Sequence, residues 1–329
     1  DSSRGWHKLA VDPDGVQYYY EGNFSPSMPE LNMENQEVLD EIDNIVKFWL
    51  EKGVKGFRLD AVKYVYLNND TKNIEFWKWF AETCKKYDEE VFLVGENWSN
   101  TTSIYEYYEA LDCFDFDMAG SGGDVALTVN GIFNLNDYVR NICRYKENVE
   151  ISNPDAVLKP FISNHDMDRC AGYLSVKENR MHMAANLYIL TSGNPFMYYG
   201  EEIGMYGSKS NGELSNGIAI WDETRRLPFN FGDEYTTTWF QDENFYDVIR
   251  NKTIKPVSEQ LLDQESLLNT YRAIIKLRNE NVALRYGNSI TAYENNTSQV
   301  QGFYREYQYE DIYQKVLVFH NLSLTEQTL

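Results

Sequence analysis

Apolar positions recur at helical spacing from Asn35 onward. Val38, Leu39, Ile42, Ile45, Val46, Trp49 and Leu50 share one face, Asn35 offers an N-cap, and Gly53 a C-terminal stop. A short apolar run, Val54–Leu59, follows and reads as a strand. The pattern then repeats. A helix is predicted over about 73–87, with Ile74, Trp77, Phe80, Ala81 and Cys84 on one face, and a strand over Val91–Val94. Cys113–Met118 is a third apolar run, 135–146 is helical, Pro160–Ser163 is a fourth strand, a helix over 178–191 follows, and Pro195–Tyr199 is a fifth strand. Strands alternating with helices predict a parallel sheet with crossover helices.

The two ends read differently. Residues 1–35, rich in Asp, Pro, Gly and Tyr, are expected to be irregular, and 205–260 to be loop-rich. A last helix spans about 265–279. Beyond it Ser289–Tyr293, Val300–Tyr307 and Lys315–Asn321 read as antiparallel strands joined by Asn-rich turns, the start of a small all-β domain.

Three of the strands end on an acid: Gly56-Phe57-Arg58-Leu59-Asp60, Phe92-Leu93-Val94-Gly95-Glu96 and Phe161-Ile162-Ser163-Asn164-His165-Asp166. Buried parallel strands read as continuous apolar runs, and barrel enzymes set their chemistry at the C-terminal strand ends. Asp60, Glu96 and Asp166 are therefore the candidate catalytic acids. Arg58 stands two residues before Asp60, so on a strand the two share a face. A fixed cation there favours an ionised Asp60, and the plain alternative is an ion pair that ties the strand ends together.

The same segments resemble a family. Gly56–Lys63, Gly95-Glu96-Asn97-Trp98 and Asn164-His165-Asp166 are similar to three signatures of the alpha-amylase superfamily of glycoside hydrolases. Met28-Pro29-Glu30-Leu31-Asn32 resembles a fourth, near the end of that family's protruding domain, and Gly193–Glu202 resembles the eighth-strand motif. The resemblance implies a (β/α)8 TIM barrel with a C-terminal antiparallel β domain. It also implies retaining hydrolysis of α-1,4-glucosidic bonds in starch and maltodextrins. Asp60 matches the nucleophile, Glu96 the general acid/base and Asp166 the third acid that binds sugar hydroxyls. As initial proton donor, Glu96 needs a raised pKa. His165 matches a sugar-hydroxyl ligand. Lys63 matches a residue on the leaving-group side, although Tyr64 stands where these enzymes usually carry His. The Met28–Asn32 form is similar to the neopullulanase side of the superfamily, so neopullulanase, cyclomaltodextrinase or α-glucosidase activity is the alternative. A catalytically silent starch-binding protein is the alternative of another class; it would be marked by loss of a catalytic acid.

By alignment of motifs, the five strands are the fourth to the eighth of the barrel. Residues 1–34 are then the end of the protruding insert, 35–284 the catalytic barrel, and 285–329 the start of the β domain. An open five-strand sheet would expose two apolar edges. The expectation is a segment of a longer enzyme, with a companion chain supplying the remaining strands as the partner this implies.

Composition narrows the partners. The formal net charge of −21 argues against nucleic acid or an anionic membrane, and a neutral polysaccharide is indifferent to it. Aromatic residues make up 15 %, with 25 Tyr and 7 Trp, surfaces that suit the apolar faces of sugars. The four cysteines, Cys84, Cys113, Cys143 and Cys170, have no metal spacing and read as buried free thiols. No apolar stretch is long enough to span a membrane. Asp12-Pro13-Asp14-Gly15 reads as a turn rather than a calcium loop. The family often binds calcium, so the resemblance implies calcium as a candidate cofactor, with no ligand assigned. Arg169 and the Glu201-Glu202 pair are expected to be structural. Asn-x-Ser/Thr triplets such as Asn100-Thr101-Thr102 are expected by chance in an Asn-rich chain. An extracellular or cell-surface location follows from a substrate too large to enter a cell.

Overall fold

The computed structural model describes residues 5–99, 102–174, 178–215, 217–232, 245–294, 297–323 and 325–327. Asn100 and Thr101, and the Asn295–Asn296 turn, lie outside the described residues. The chain divides into two compact units, 1–113 and 114–329.

In the first unit Gly5–Val11 (β1) and Gln17–Gly22 (β2) form an antiparallel hairpin. The sequence reading made this region irregular. The reason is visible in the burial: Trp6, Leu9, Val11, Tyr18 and Tyr19 are all exposed, so no alternation of buried and exposed positions marks the strands. The turn between them is the expected one. Asp12 Oδ1 accepts from the N–H of Asp14 at 3.0 Å and of Val16 at 2.8 Å, and Gly15 takes φ 86.

Helix α1 (Gln36–Glu51) starts at Asn35, whose side chain accepts from the Glu37 N–H. It leads into β3 (Gly56–Leu59), then α2 (Asp70–Lys85), capped by Asn69, and β4 (Phe92–Gly95). β3 and β4 pair in parallel, Gly56 opposite Phe92 through Leu59 opposite Gly95. Val62, Trp77, Phe80, Cys84, Val94 and Leu111 are buried in this unit. A short helix α3 (Ile104–Tyr107) precedes β5 (Asp112–Asp115), which runs across the division. Its first residues pair with β4 and its last with β6 (Lys159–Pro160), both in parallel.

The second unit adds α4 (Asp124–Val129) and α5 (Leu135–Ser152), the latter with a complete capping box between Asn134 and Asp137. After β6 come α6 (Cys170–Tyr173) and α7 (Glu178–Ile189). The region read as loop contains the hairpin β7 (Glu213–Ser215) and β8 (Ile218–Ile220), and helices α8 (Tyr246–Lys252) and α9 (Val257–Gln260). Then follow α10 (Leu267–Glu280), α11 (Val282–Arg285), β9 (Thr291–Ala292), β10 (Val300–Tyr309) and β11 (Ile312–Asn321). The last three form an antiparallel sheet in the order β11-β10-β9. Phe303 and Val318 from this sheet share one core with Tyr138 and Ile142 of α5, Ala184 and Leu187 of α7, and Tyr271 and Ile274 of α10.

Two of the expected barrel strands depart most from the reading. Of the fourth run, Pro160–Ser163, only Pro160 is strand, in β6 with Lys159, and 195–199 is not strand at all. The latter still follows its neighbour: Asn194 N–H donates to Leu158 O at 2.8 Å and Phe196 N–H to Pro160 O at 2.9 Å. Pro160 has no N–H to return to Asn194 O, so the ladder cannot close at that point.

Candidate active site

Asp60 and Glu96 each stand one residue beyond a parallel strand. Because Leu59 lies opposite Gly95, the two acids leave adjacent strands at the same level. Arg58 reaches both. Its Nη1 is ion-paired with Asp60 Oδ1, and its Nη2 lies 2.9 Å from Glu96 Oε1. One guanidinium thus bridges the two acids. The two acids differ in access: the Glu96 side chain is 12 % exposed and that of Asp60 76 %.

The backbone fixes this arrangement. Glu96 N–H donates to Leu59 O at 2.8 Å, and Val62 N–H donates to Glu96 O at 3.1 Å. Between them Ala61 is in the left-handed region, φ 47 and ψ 46, which turns its N–H onto Glu96 Oε2 at 3.3 Å. Val62 is fully buried, and the buried indole of Trp77 donates to its carbonyl at 2.7 Å. Gly95 admits no Cβ without a shift of Leu111, since the two would come to 2.4 Å.

Lys63 lies in the 3-10 turn Val62–Tyr64. Its ammonium donates to Trp98 O at 2.5 Å and sits 5.2 Å from the centre of the Tyr64 ring. Its charge is therefore held between the segments that follow Asp60 and Glu96.

In the second unit Asp166 is tightly held. Its N–H donates to Asn164 Oδ1 at 2.9 Å, and His165 Nε2 lies 3.0 Å from its Oδ2. Two arginines that the sequence reading missed complete the cluster. Arg226 donates from Nη2 to Asp166 Oδ1 at 2.8 Å and from Nε to His165 O at 3.0 Å. Arg225, buried, donates from Nη1 to Asp166 O at 2.6 Å and pairs with Asp222. About 60 residues of chain separate these arginines from Asp166, so no local spacing could have shown the link.

Arg169 is structural, as expected. It is fully buried, donates to Tyr199 O at 2.5 Å and to Arg225 O at 3.0 Å, and packs on the rings of Tyr198 and Tyr199. Glu201 is buried as well, accepting from the hydroxyls of Ser163 at 2.5 Å and Tyr188 at 3.0 Å. Burial pushes its carboxyl up to about 8, against the opposing pull of those hydroxyls and of Arg169. Asp115, Asp117 and Asp124 lie near one another, and burial raises all three, Asp124 to about 6. The cysteines are free thiols, three of them buried, and burial pushes Cys84 up to about 12. Among the described residues no group of three or more His, Cys, Asp or Glu is arranged to hold a metal ion. No helix among them is long and apolar enough to cross a membrane.

The order of these segments finds its match in a known sequence profile. The family described as "Alpha amylase, catalytic domain" matches residues 7–287. The chain belongs to the alpha-amylase family. Within that family it is 33 % identical over 334 residues to Alpha-amylase 3 of Dictyoglomus thermophilum, which covers 99 % of this chain and 60 % of that relative. It is 31 % identical over 299 residues to Alpha-amylase SusG of Bacteroides thetaiotaomicron, covering 88 % of this chain and 41 % of the relative. Among solved structures, Eubacterium rectale Amy13B is similar with a TM-score of 0.83 and 29 % identity, over 98 % of this chain and 60 % of that one. The chain thus spans about two fifths to three fifths of the length of these relatives. For an alpha-amylase family chain the likeness implies a TIM barrel with a C-terminal β domain. Among the described residues the sheets themselves are an open run of four parallel strands, β3 to β6, and the antiparallel sheet of β9 to β11, so the barrel rests on the family likeness.

Proposed function

We propose that the protein is a retaining glycoside hydrolase that cleaves α-1,4-glucosidic bonds in starch and maltodextrins. The observation that carries this is the Arg58 bridge between Asp60 and Glu96 at matched ends of adjacent parallel strands. Adjacent strands are about 4.8 Å apart. That spacing suits the roughly 5–5.5 Å between carboxyl groups of retaining enzymes better than the wider gap of inverting ones.

In this reading a carboxylate oxygen of Asp60 attacks the anomeric carbon. The glycosidic C–O bond breaks, and the proton of Glu96 passes to the leaving oxygen. Glu96, now a carboxylate, takes a proton from water as the water oxygen attacks the same carbon and frees Asp60. Arg58 pairs with both acids and orients them. Asp166 and His165 bind hydroxyls of the sugar, and Lys63 serves the leaving-group side. The four strands β3 to β6 and the 195–199 segment correspond to the fourth to eighth strands of the barrel, with 1–34, 35–284 and 285–329 as insert end, barrel and β domain. A starch substrate places the enzyme outside the cell or on its surface.

Chromatography of the products from soluble starch tests this. The protein is expected to release maltooligosaccharides whose anomeric form matches the substrate. Asp60→Asn and Glu96→Gln are each expected to reduce the rate by at least ~1,000-fold. Inverted products, or an Asp60→Asn variant as active as the parent, would rule the reading out.

A further inference from the structure

Asp222–Arg226 lies against the Asn164–Asp166 tip, and its two arginines are held differently. Arg225 is buried and spends its guanidinium on Asp166 O and on the carboxylate of Asp222, so its task is to hold the two segments together. Arg226 is 43 % exposed. Its Nε is taken by His165 O and its Nη2 by Asp166 Oδ1, with Asp222 Oδ2 farther off at 3.7 Å. Among the described residues its Nη1 has no acceptor. A guanidinium is a planar fork of five N–H donors, so fixing Nε and Nη2 also fixes where the two N–H of Nη1 point.

The acceptors around it are also occupied in a telling way. His165 takes one oxygen of Asp166 and Arg226 the other. Each carboxylate oxygen keeps a lone pair for a further donor. A sugar hydroxyl both donates and accepts. One that donates to Asp166 is placed beside the free N–H groups of Arg226, which can donate back to the same or the neighbouring hydroxyl.

We propose that Arg226 is a further substrate-contacting residue, with Nη1 donating to a ring hydroxyl of the sugar that Asp166 and His165 hold. This deepens the proposed glucan hydrolysis and rests on that reading. Arg226 selects for an intact vicinal diol, since a ring without the hydroxyl leaves a charged donor unpaired.

The test is a cycle between side chain and substrate in the full-length enzyme. kcat and KM are measured for parent, Arg226→Ala and Arg226→Lys on an aryl α-maltoside, and on its analogues deoxygenated at C2 or at C3 of the ring that is cleaved. On the intact substrate Arg226→Ala is expected to lower kcat/KM about 10- to 100-fold, the size of a lost hydrogen bond to a charged group, and Arg226→Lys to recover part of it. On one of the two deoxy substrates the penalty should shrink to a few-fold, because the partner is already gone. An equal penalty on all three substrates would show that Arg226 only holds Asp166 and the loop, and would overturn the inference. So would full activity in Arg226→Ala. A parent enzyme with no activity on any α-glucoside, by contrast, would refute the proposed function itself.

Discussion

Ala61 sits between two candidate catalytic acids in a backbone region that costs an L-residue about 1–2 kcal/mol. The cost is met by burial of Val62 and by the indole of Trp77 on its carbonyl, and the result is an N–H aimed at Glu96. Ala61→Val adds a β-branched side chain where φ is positive. It is expected to lower stability by about 1–3 kcal/mol in chemical denaturation and to reduce kcat more than it changes KM. Glu201 gives a prediction in pH. Burial raises its folded carboxyl to about 8, against about 4.5 for the unfolded one, so the folded state holds the extra proton between them. Its contribution to stability is complete below about 4.5 and is lost as pH rises through about 8. Denaturant titrations of the parent should therefore lose stability over that window relative to Glu201→Gln, by an amount on the order of a few kcal/mol. Parallel curves for the two proteins would show that Glu201 does not hold its proton.

At the scale of elements, two buried arginines fasten the end of α7. Arg278 of α10 donates to Ile189 O at 2.6 Å, to Thr191 O at 3.0 Å and to Gly193 O. Arg305 of β10 donates to Ser289 O at 3.0 Å, Leu190 O at 3.1 Å, Thr191 O and Gly287 O. The carbonyls left over at the end of a helix are thus satisfied by neighbouring elements instead of by water. Burial lowers both groups, Arg278 to about 10 and Arg305 to about 9. Arg305→Leu leaves several carbonyls buried and unpaired, and is expected to cost about 3–5 kcal/mol by chemical denaturation. Exposed elements depend on local terms instead. Asn35→Ala, which removes the α1 cap, should cost only about 1 kcal/mol in the same assay. An Arg305→Leu loss no larger than that of Asn35→Ala would mean that water reaches those carbonyls.

For the molecule as a whole, a net charge of −21 implies self-repulsion that salt screens. Its melting midpoint is expected to rise between about 0.01 and 0.15 M NaCl, where the Debye length falls from about 30 to about 8 Å, while KM for a neutral glucan stays constant. A KM that changes steeply with salt would point to a charged ligand. Sequence by itself determined most of the alternation of strand and helix, the caps at Asn35 and Gly53, the three terminal β segments, and the acids Asp60 and Glu96 directly after strands, because all of these are set by local periodicity and near-neighbour chemistry; Asp166 instead stands six residues past its strand, on a turn. Sequence placed Arg58 beside Asp60 for the same reason, the two being separated by one strand repeat. Only the tertiary structure decided that Arg58 also reaches Glu96, that Trp77 holds the Val62 carbonyl, and that Arg225 and Arg226 grip Asp166. Those partners come from separate elements, and hydrogen bonds between elements leave no period in a sequence. The hairpin of β1 and β2 escaped notice for the complementary reason: its strands are held by backbone pairing with little burial, and pairing without burial leaves no hydrophobic pattern to read.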